Sequence, residues 1–447
     1  MASRRSPKTA FSTDSTAMSL SVKSILRDTH DFDACCLQKV QLLKPCKTDK
    51  PDTAPTVEVH LRPHPRRKAI CSGCQEPAPG YDTLPLRHWH YLHLLHCLVI
   101  LYYAPRRVDC RRCGVKVEWM KWSAGKSPYA VPLMHVLARW ARRLSWKEVA
   151  GIFQVSWDAV YRSVQWLVGY GLEHRKLDGV SAIGVDELHW GKGKKSANFI
   201  TVLYQIDAGM RRLLWVGMTR RQATLARGLR ELEKRKAGLC KGIKVVCSDM
   251  WKPFLKVIRE RLPQALNVLD PFHIAQHLNR GVDEVRRKEQ SRMNKAQKAM
   301  VKGSRFLFLK RGTRVRGVAR RKLEAALVAL QETGQAWVFK EAFRRFWKYR
   351  SPGWAAAWLD HWVEVVRRSE IKPMMRVAEM MARHKELMLN YFRAKKQYTN
   401  AVTEGKNHKA RVMLAKSYGH RSYKVLELAL YHALGELPEP PRTHKFC

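Results

Sequence analysis

The chain has 447 residues, 45% of them hydrophobic, enough to bury a sizeable core and, by length, to hold about two to four domains. Its 84 Lys and Arg against 38 Asp and Glu give a formal charge of +46, which a folded core has no use for, so a polyanion, and best a nucleic acid, is the expected partner. No uncharged apolar run of membrane-spanning length occurs and the first twenty residues lack the apolar stretch of a secretory signal, so a cytoplasmic protein with no membrane partner is expected.

Residues 1–58 read as a polar tail and lead-in, with one short apolar stretch near Val40 to Leu43. From Leu61 to Val117 the pattern is turn-rich, and the alternation of Leu92, Leu94, Leu98 and Ile100 predicts short strands. This stretch carries Cys71-Ser-Gly-Cys74 and Cys110-Arg-Arg-Cys113. Each CxxC turn presents two sulfurs to one point, so the four thiolates suit one structural Zn²⁺. Eleven cysteines is an odd count, and in a reducing compartment a metal site is favoured over a disulfide framework. The intervening His88, His90, His93 and His96 read as strand or surface residues rather than a second metal site. Arg106, Arg107, Arg111 and Arg112 flank the second knuckle and predict an edge that contacts phosphate.

The pattern turns helical from Pro132 to Leu172. Ser145 with Glu148 three residues on is a capping box, Gln154-Val155 turns the chain, and Ser156 caps a second helix. The pair has the length and apolar spacing of a helix-turn-helix that presents Trp157, Asp158, Tyr161 and Arg162 to a DNA groove. An ordinary helical hairpin has the same local pattern; the charge of the chain and the adjacent cysteine unit favour DNA.

Three apolar strands follow in hairpin order, Ala182–Glu187, Phe199–Ile206 and Leu213–Met218, separated by Gly-Lys-Gly-Lys and Asp-Ala-Gly. A helix over Gln222–Lys236, a strand over Ile243–Cys247, a helix over Trp251–Arg261 and a short strand over Asn267–Leu269 complete an α/β order that fits a ribonuclease-H-like core. Asp186 and Asp249 each end an apolar strand, where a charge has no reason to sit unless it points into a site. In such a sheet the first and fourth strands are neighbours, so the two carboxylates meet at one end and suit hard, oxygen-seeking cations. Phosphoryl transfer uses two such ions about 3.5–4 Å apart and calls for a third carboxylate.

Phe272 to Phe392 reads almost wholly helical, without a fixed repeat. Between Arg286 and Lys322, fifteen Lys or Arg stand against one acid, Glu289; such a run is usually a solvated face, but this density favours disorder or DNA contact. Trp337, Phe343, Phe346, Trp347, Trp354, Trp358 and Trp362 fall at helical spacings and read as core, an exposed Trp being the kind of group that props open a flipped base. Glu404 then lies in the first turn of a helix over about Asn400–Lys416, where a carboxylate suits the positive helix terminus, and is the candidate third carboxylate.

In this order, the zinc knuckles with Arg107-Val-Asp-Cys110-Arg-Arg-Cys113, the helix pair, Ile183-Gly-Val-Asp186-Glu187, Ser248-Asp249-Met250, Asp270-Pro-Phe-His273 and Thr399-Asn400-Ala-Val-Thr-Glu404-Gly-Lys-Asn407 resemble the ISL-three family of bacterial insertion-sequence transposases, over roughly residues 60–425. The resemblance implies that Asp186, Asp249 and Glu404 are a DDE-type triad binding Mg²⁺ or Mn²⁺, and that the stretch between Asp249 and Glu404 is a helical insertion in the catalytic fold. Asp270 and His273 match the family's Asp-x-Phe-His stretch, with Pro271 where the family usually has Arg, and are expected to support the triad or position DNA. Asn407 and Lys409, on the Glu404 helix, are expected to support the triad or to contact DNA phosphate. The implied protein binds transposon terminal inverted repeats in double-stranded DNA as a homodimer or higher oligomer. It cleaves a strand and directs the freed 3′-OH onto target DNA. A domesticated or inactive relative that regulates by DNA binding alone is the alternative, and a structure-specific nuclease would share only the triad. The expected domains are a lead-in (1–58), a zinc-ribbon-like unit (59–122), a helix-turn-helix unit (123–178), the first part of the core (179–279), a basic and aromatic helical insertion (280–395) and the Glu404 helix with a tail (396–447).

Overall fold

The computed structural model describes residues 22–29, 32, 35–44, 54–94, 97–190, 198–398, 401–417 and 422–441; the tail before residue 22, His96, the Gly-Lys-Gly-Lys turn at 191–194 and Asn400 lie outside them. The chain is mixed α/β and divides into two compact units, Met1–Glu173 with Pro438–Cys447, and His174–Leu437.

In the first unit a short helix, α1 (Val22–Thr29), precedes strand β1 (Cys35–Leu43), which pairs antiparallel with β2 (Thr56–Pro63). The lead-in thus supplies an edge strand of which the sequence showed only the apolar end, because half-exposed residues carry the rest of it. Next come β3 (Ala69–Ile70), β4 (Pro77–Ala78), β5 (Gly80–Thr83), β6 (Arg87–His90), β7 (Leu98–Tyr103), β8 (Arg106–Cys110) and β9 (Gly114–Val117). They form a four-stranded sheet in the order β1-β2-β7-β6, a β3-β4 hairpin and a β5-β8-β9 sheet. Alternate residues of β2 and β7 point inward, and Val57, Val59, Trp89, Leu101, Tyr103 and Trp122 make the core.

Three helices follow: α2 (Val131–Ala141), α3 (Trp146–Ile152) and α4 (Trp157–His174). The capping box at the start of α3 is present, with Glu148 N donating to Ser145 Oγ (3.3 Å) and Ser145 N donating to Glu148 Oε2 (2.7 Å). Gln154 takes the left-handed conformation (φ 47°) in the turn, and Ala159 N donates to Ser156 Oγ (3.1 Å) to start α4.

The second unit is built on β10 (Ala182–His189), β11 (Phe199–Asp207) and β12 (Met210–Met218), then α5 (Gln222–Arg235), α6 (Leu239–Gly242), β13 (Val245–Ser248), α7 (Lys252–Arg261) and β14 (Leu266–Leu269). The sheet order is β12-β11-β10-β13-β14: an antiparallel meander with two strands added parallel to β10. On one face Ile183, Val185, Leu203, Leu214 and Val246 pack against Leu225 and Leu229 of α5 and Phe254 and Ile258 of α7. Both faces are covered, so β11 is buried over seven consecutive residues rather than alternating.

Eight helices follow, α8 (Pro271–Ser291), α9 (Lys295–Met300), α10 (Arg305–Leu309), α11 (Gly317–Ala329), α12 (Gln331–Phe343), α13 (Pro352–Arg368), α14 (Lys372–Arg383) and α15 (Lys385–Arg393), and all but α9 contribute to a second core. Phe343, Phe346 and Trp362 are buried in it, and Trp337, Trp347 and Trp358 pack against it. Trp354 alone of the predicted set stays largely in solvent, 72% exposed. Finally α16 (Ala401–Lys416) and α17 (Tyr423–Leu434) return to the sheet, α16 against β10 and α17 against β12, where the Tyr423 hydroxyl donates to Val216 O (3.1 Å).

Candidate catalytic and metal sites

Strand β10 runs in parallel register with β13, Ala182, Ile183 and Gly184 lying beside Val245, Val246 and Cys247. Two residues further along the same register, Asp186 is level with Asp249, which leaves β13 at its C-terminal end; the pleat turns both to the face that α16 covers. Glu187 N donates to Asp186 Oδ1 (2.8 Å), and Asn407 Nδ2 donates to Asp186 Oδ2 (2.6 Å). The Tyr204 hydroxyl donates to Asn407 Oδ1 (2.9 Å), which fixes the amide orientation. Asp249 Oδ1 accepts from Trp251 N (3.0 Å).

Burial pushes the Asp186 carboxyl up to about 6, and the charge of Asp249 adds to the rise, against the pull of the Glu187 N–H and of His273. Burial likewise raises Asp249, with the Trp251 N–H, His273 and Arg220 opposing. Two desolvated carboxylates, one of which raises the other's proton affinity, are what a divalent cation relieves.

His273 opens α8 beside Asp270, Nε2 to Oδ2 3.8 Å, and its charge acts on Asp186, Glu187 and Asp249 alike. Asp270 is buried and caps α8 by accepting from Phe272 N (3.0 Å).

Glu404 is exposed in the first turn of α16, between Thr403 and Asn407, which are fully buried on β10. Among the described residues only the four cysteines form a group of ligand atoms close enough for one ion; Asp186, Asp249 and Glu404 do not close round a point in this way. The helix that carries Glu404 is nevertheless locked to the carboxylate strand. A Cβ on Gly184 would lie 2.1 Å from Thr403 Oγ1 and 3.3 Å from Ile206 Cγ2. Gly184→Ala should therefore lift α16 off β10, costing about 1–3 kcal/mol of stability in a denaturant titration and weakening Mn²⁺ uptake; an unchanged midpoint would mean the helix is not fitted to this strand.

Of the two roles expected for Asn407, the one beside the carboxylates fits its place: it is 1% exposed and its amide is spent on Asp186 and Tyr204, which leaves it no edge for DNA phosphate. Lys409 is exposed. The sequence reading missed Tyr204, Glu187 and Arg220. Glu187 stood beside an Asp that already explained the strand end, and Arg220 was one of 84 basic residues.

In the first unit the ligand atoms of Cys71, Cys74, Cys110 and Cys113 all lie within 4.8 Å of one another, with Cys74 Sγ to Cys110 Sγ at 3.5 Å. A tetrahedral zinc with Zn–S of about 2.3 Å sets its sulfurs roughly 3.8 Å apart, so the set fits that ion. The knuckles sit at the turns of the β3-β4 and β8-β9 hairpins, and a Cβ on Gly73 would press to 2.9 Å from Cys113 Sγ. The backbone N–H groups of Arg112 and Cys113 draw the Cys110 thiol down to about 7.

The flanking arginines divide. Arg106 is spent on Glu118, Nε and Nη2 donating to Oε2 at 2.9 and 2.6 Å, while the Tyr103 hydroxyl donates to the buried Oε1. Arg107 pairs with Asp82 across the β5-β8 register and covers the Tyr81 ring. Arg111 and Arg112 remain exposed. On α4, Trp157 is 44% exposed and stacks on Tyr161 (centroids 5.5 Å, 10°), and Arg162 pairs with Asp158 at the surface. In the second unit Lys295, Lys298, Lys302 and Arg305 edge a hollow of about 470 Å³ beside Arg286, which Asp283 and Gln290 hold.

A family described as Transposase, of the DDE type and the ISL-three kind, matches residues 183–430. The chain is 24% identical over 383 residues to the transposase for insertion sequence element IS1001 of Bordetella parapertussis, covering 85% of this chain and 92% of that protein. It is 22% identical over 443 residues to the transposase for insertion sequence element IS1557 of Mycobacterium tuberculosis, covering 91% and 96%. Among solved structures, the Drosophila P element transposase strand transfer complex aligns with a TM-score of 0.34 at 9% identity, over 67% of this chain and 90% of that one.

Proposed function

Because this chain belongs to the ISL-three family of DDE transposases, metal-dependent enzymes that act on DNA, we propose how its residues divide that work. Asp186 and Asp249 hold Mg²⁺ or Mn²⁺ at the end of a ribonuclease-H-like sheet, with Glu404 completing the set from α16. The bound ions supply an activated water and stabilise the leaving oxygen. Asn407 orients Asp186, and His273 opens the helix beside the carboxylates. The observation that carries the reading is the pair itself: Asp186 and Asp249 level at the ends of adjacent parallel strands, half-buried and raised in pKa. The meander followed by two parallel strands supports the fold assignment, with the core begun by residues 179–279, interrupted by helices over 280–395 and completed by 396–447.

The first unit is the DNA reader in this proposal: a zinc-ribbon-like module over 59–122 with its lead-in, holding Zn²⁺ on Cys71, Cys74, Cys110 and Cys113, and a helix-turn-helix over 123–178. Trp157, Tyr161 and Arg162 face the groove, and Arg111 and Arg112 take phosphates; Arg106 and Arg107 shape that edge through their ion pairs. Terminal inverted repeats are the DNA, and a homodimer or higher oligomer pairs two of them. Asp270 caps the helix that positions His273, and Lys409 and the lysines of α9 track the backbone.

Asp249→Asn tests the assignment: the variant should bind an inverted-repeat duplex like the wild type and fail to cut it. A variant that still cuts would overturn the triad, and a wild type that binds but never cuts with Mg²⁺ or Mn²⁺ would favour a regulator. Protons also compete with metal here. Since Asp186 titrates near 6, cleavage at limiting Mn²⁺ should fall as pH drops through about 6, and raising Mn²⁺ should move the midpoint to lower pH. A midpoint indifferent to Mn²⁺ would separate the titration from metal binding.

A further inference from the structure

We propose that Arg220 binds the scissile phosphate at this site, braced by two aromatic rings and aimed by Glu187; this rests on the carboxylate reading above. Three separate segments converge on the one guanidinium. Its central carbon lies 4.1 Å from the Phe199 ring centroid and 5.1 Å from that of Trp251. Its Nη1 is 3.1 Å from Glu187 Oε1. Glu187 follows Asp186 on β10, and Trp251 follows Asp249 by two residues, so the brace is built from the neighbours of both proposed metal ligands. Glu187 Oε2 is buried with no hydrogen-bond partner among the described residues, so Arg220 is the side chain that holds this carboxyl.

Rings stacked on a guanidinium cover its faces and leave its edge free to donate. Of the five N–H donors, Glu187 takes one, and the remainder match the oxygens of a phosphodiester. Its charge reaches the carboxylates, lowering the proton affinity of both Glu187 and Asp249. When the water oxygen bonds to phosphorus and the bond to the leaving oxygen breaks, negative charge gathers on the non-bridging oxygens, and a cation already fixed there needs no reorganisation. A purely structural Arg–Glu pair would not require two rings against the guanidinium at this place.

The test is single-turnover cutting of a duplex carrying the inverted repeat found beside the gene, with saturating protein and Mn²⁺. Arg220→Ala should slow cutting about 100- to 1,000-fold while duplex affinity and Mn²⁺ uptake hold, and millimolar guanidinium should restore part of the rate. Arg220→Lys, which keeps charge but not the planar stack, should lose roughly tenfold. Cutting by Arg220→Ala within twofold of wild type overturns the inference; if that variant does not fold, Arg220→Lys decides by the same criterion. Asp249→Asn run alongside separates the failures, since a cutting Asp249→Asn sinks the carboxylate reading, and an inactive one beside a fully active Arg220 variant sinks only this proposal.

Discussion

Replacing Asp186 by Asn should make the protein inactive and, without metal, more stable. Removing a carboxylate that holds a catalytic ion forfeits several kcal/mol of transition-state stabilisation, so cutting should drop by at least roughly a thousandfold. The stability gain follows from the sign of the pKa shift. The folded carboxyl titrates near 6, above its ordinary value of 3.8, so the fold binds the proton more tightly than the unfolded chain does. Between about pH 4 and pH 6 the native state holds more protons, and stability falls as pH rises through that window, then levels off. The deficit at neutral pH is on the order of 2–3 kcal/mol, and Asn, which keeps an acceptor for the Asn407 amide but no charge, should recover about 2 kcal/mol of it. Denaturant titrations of metal-free wild type and Asp186→Asn at pH 7.5 and pH 4 check this. The curves should separate at pH 7.5 and close up at pH 4; a variant less stable at both would mean that Asp186 holds the fold together as an anion.

The local features of this site were legible in the sequence, and the features that cross the chain were not. Strand-end aspartates stand out because an apolar strand has no other use for a charge, and Ser145 with Glu148 announces a helix start within four residues. Asn407 reaches Asp186 across 221 residues, and no periodicity reports such a contact. The trace it leaves is indirect: Gly184, two residues before Asp186, is a strand glycine whose missing side chain is the space Thr403 fills. Arg106 and Arg107 failed as simple phosphate contacts for a related reason. Their partners Glu118 and Asp82 lie on other segments, and only the paired strands show that these charges are already matched. Arg111 and Arg112, at the knuckle turn, have no facing strand and stay exposed.

The cysteine cluster carries the second large effect. The small core around it consists of Ala69, Cys71, Ala78, Val108 and Cys110, so two of its five buried members are themselves proposed ligands. Strands of two to five residues bury too little apolar surface to order a chain, and the ion must supply the difference. A structural zinc contributes roughly 10–16 kcal/mol at neutral pH in small domains of this kind. Cys110→Ser, or removal of zinc by a chelator, should therefore unfold β3, β4 and the β5-β8-β9 sheet. The neighbouring β1-β2-β7-β6 sheet keeps its own core of Val57, Trp89, Leu101 and Tyr103 and should remain protected. Hydrogen exchange would read this as fast amides over residues 69–78 and 106–118 against slow ones over 56–63 and 98–103. Duplex affinity should fall at least about tenfold as Arg111 and Arg112 lose their placement, whereas Mn²⁺ uptake at Asp186 and Asp249, in the other unit, should be untouched. If exchange over 106–118 stays slow after the zinc is gone, the hairpins hold themselves, and the four cysteines need another explanation.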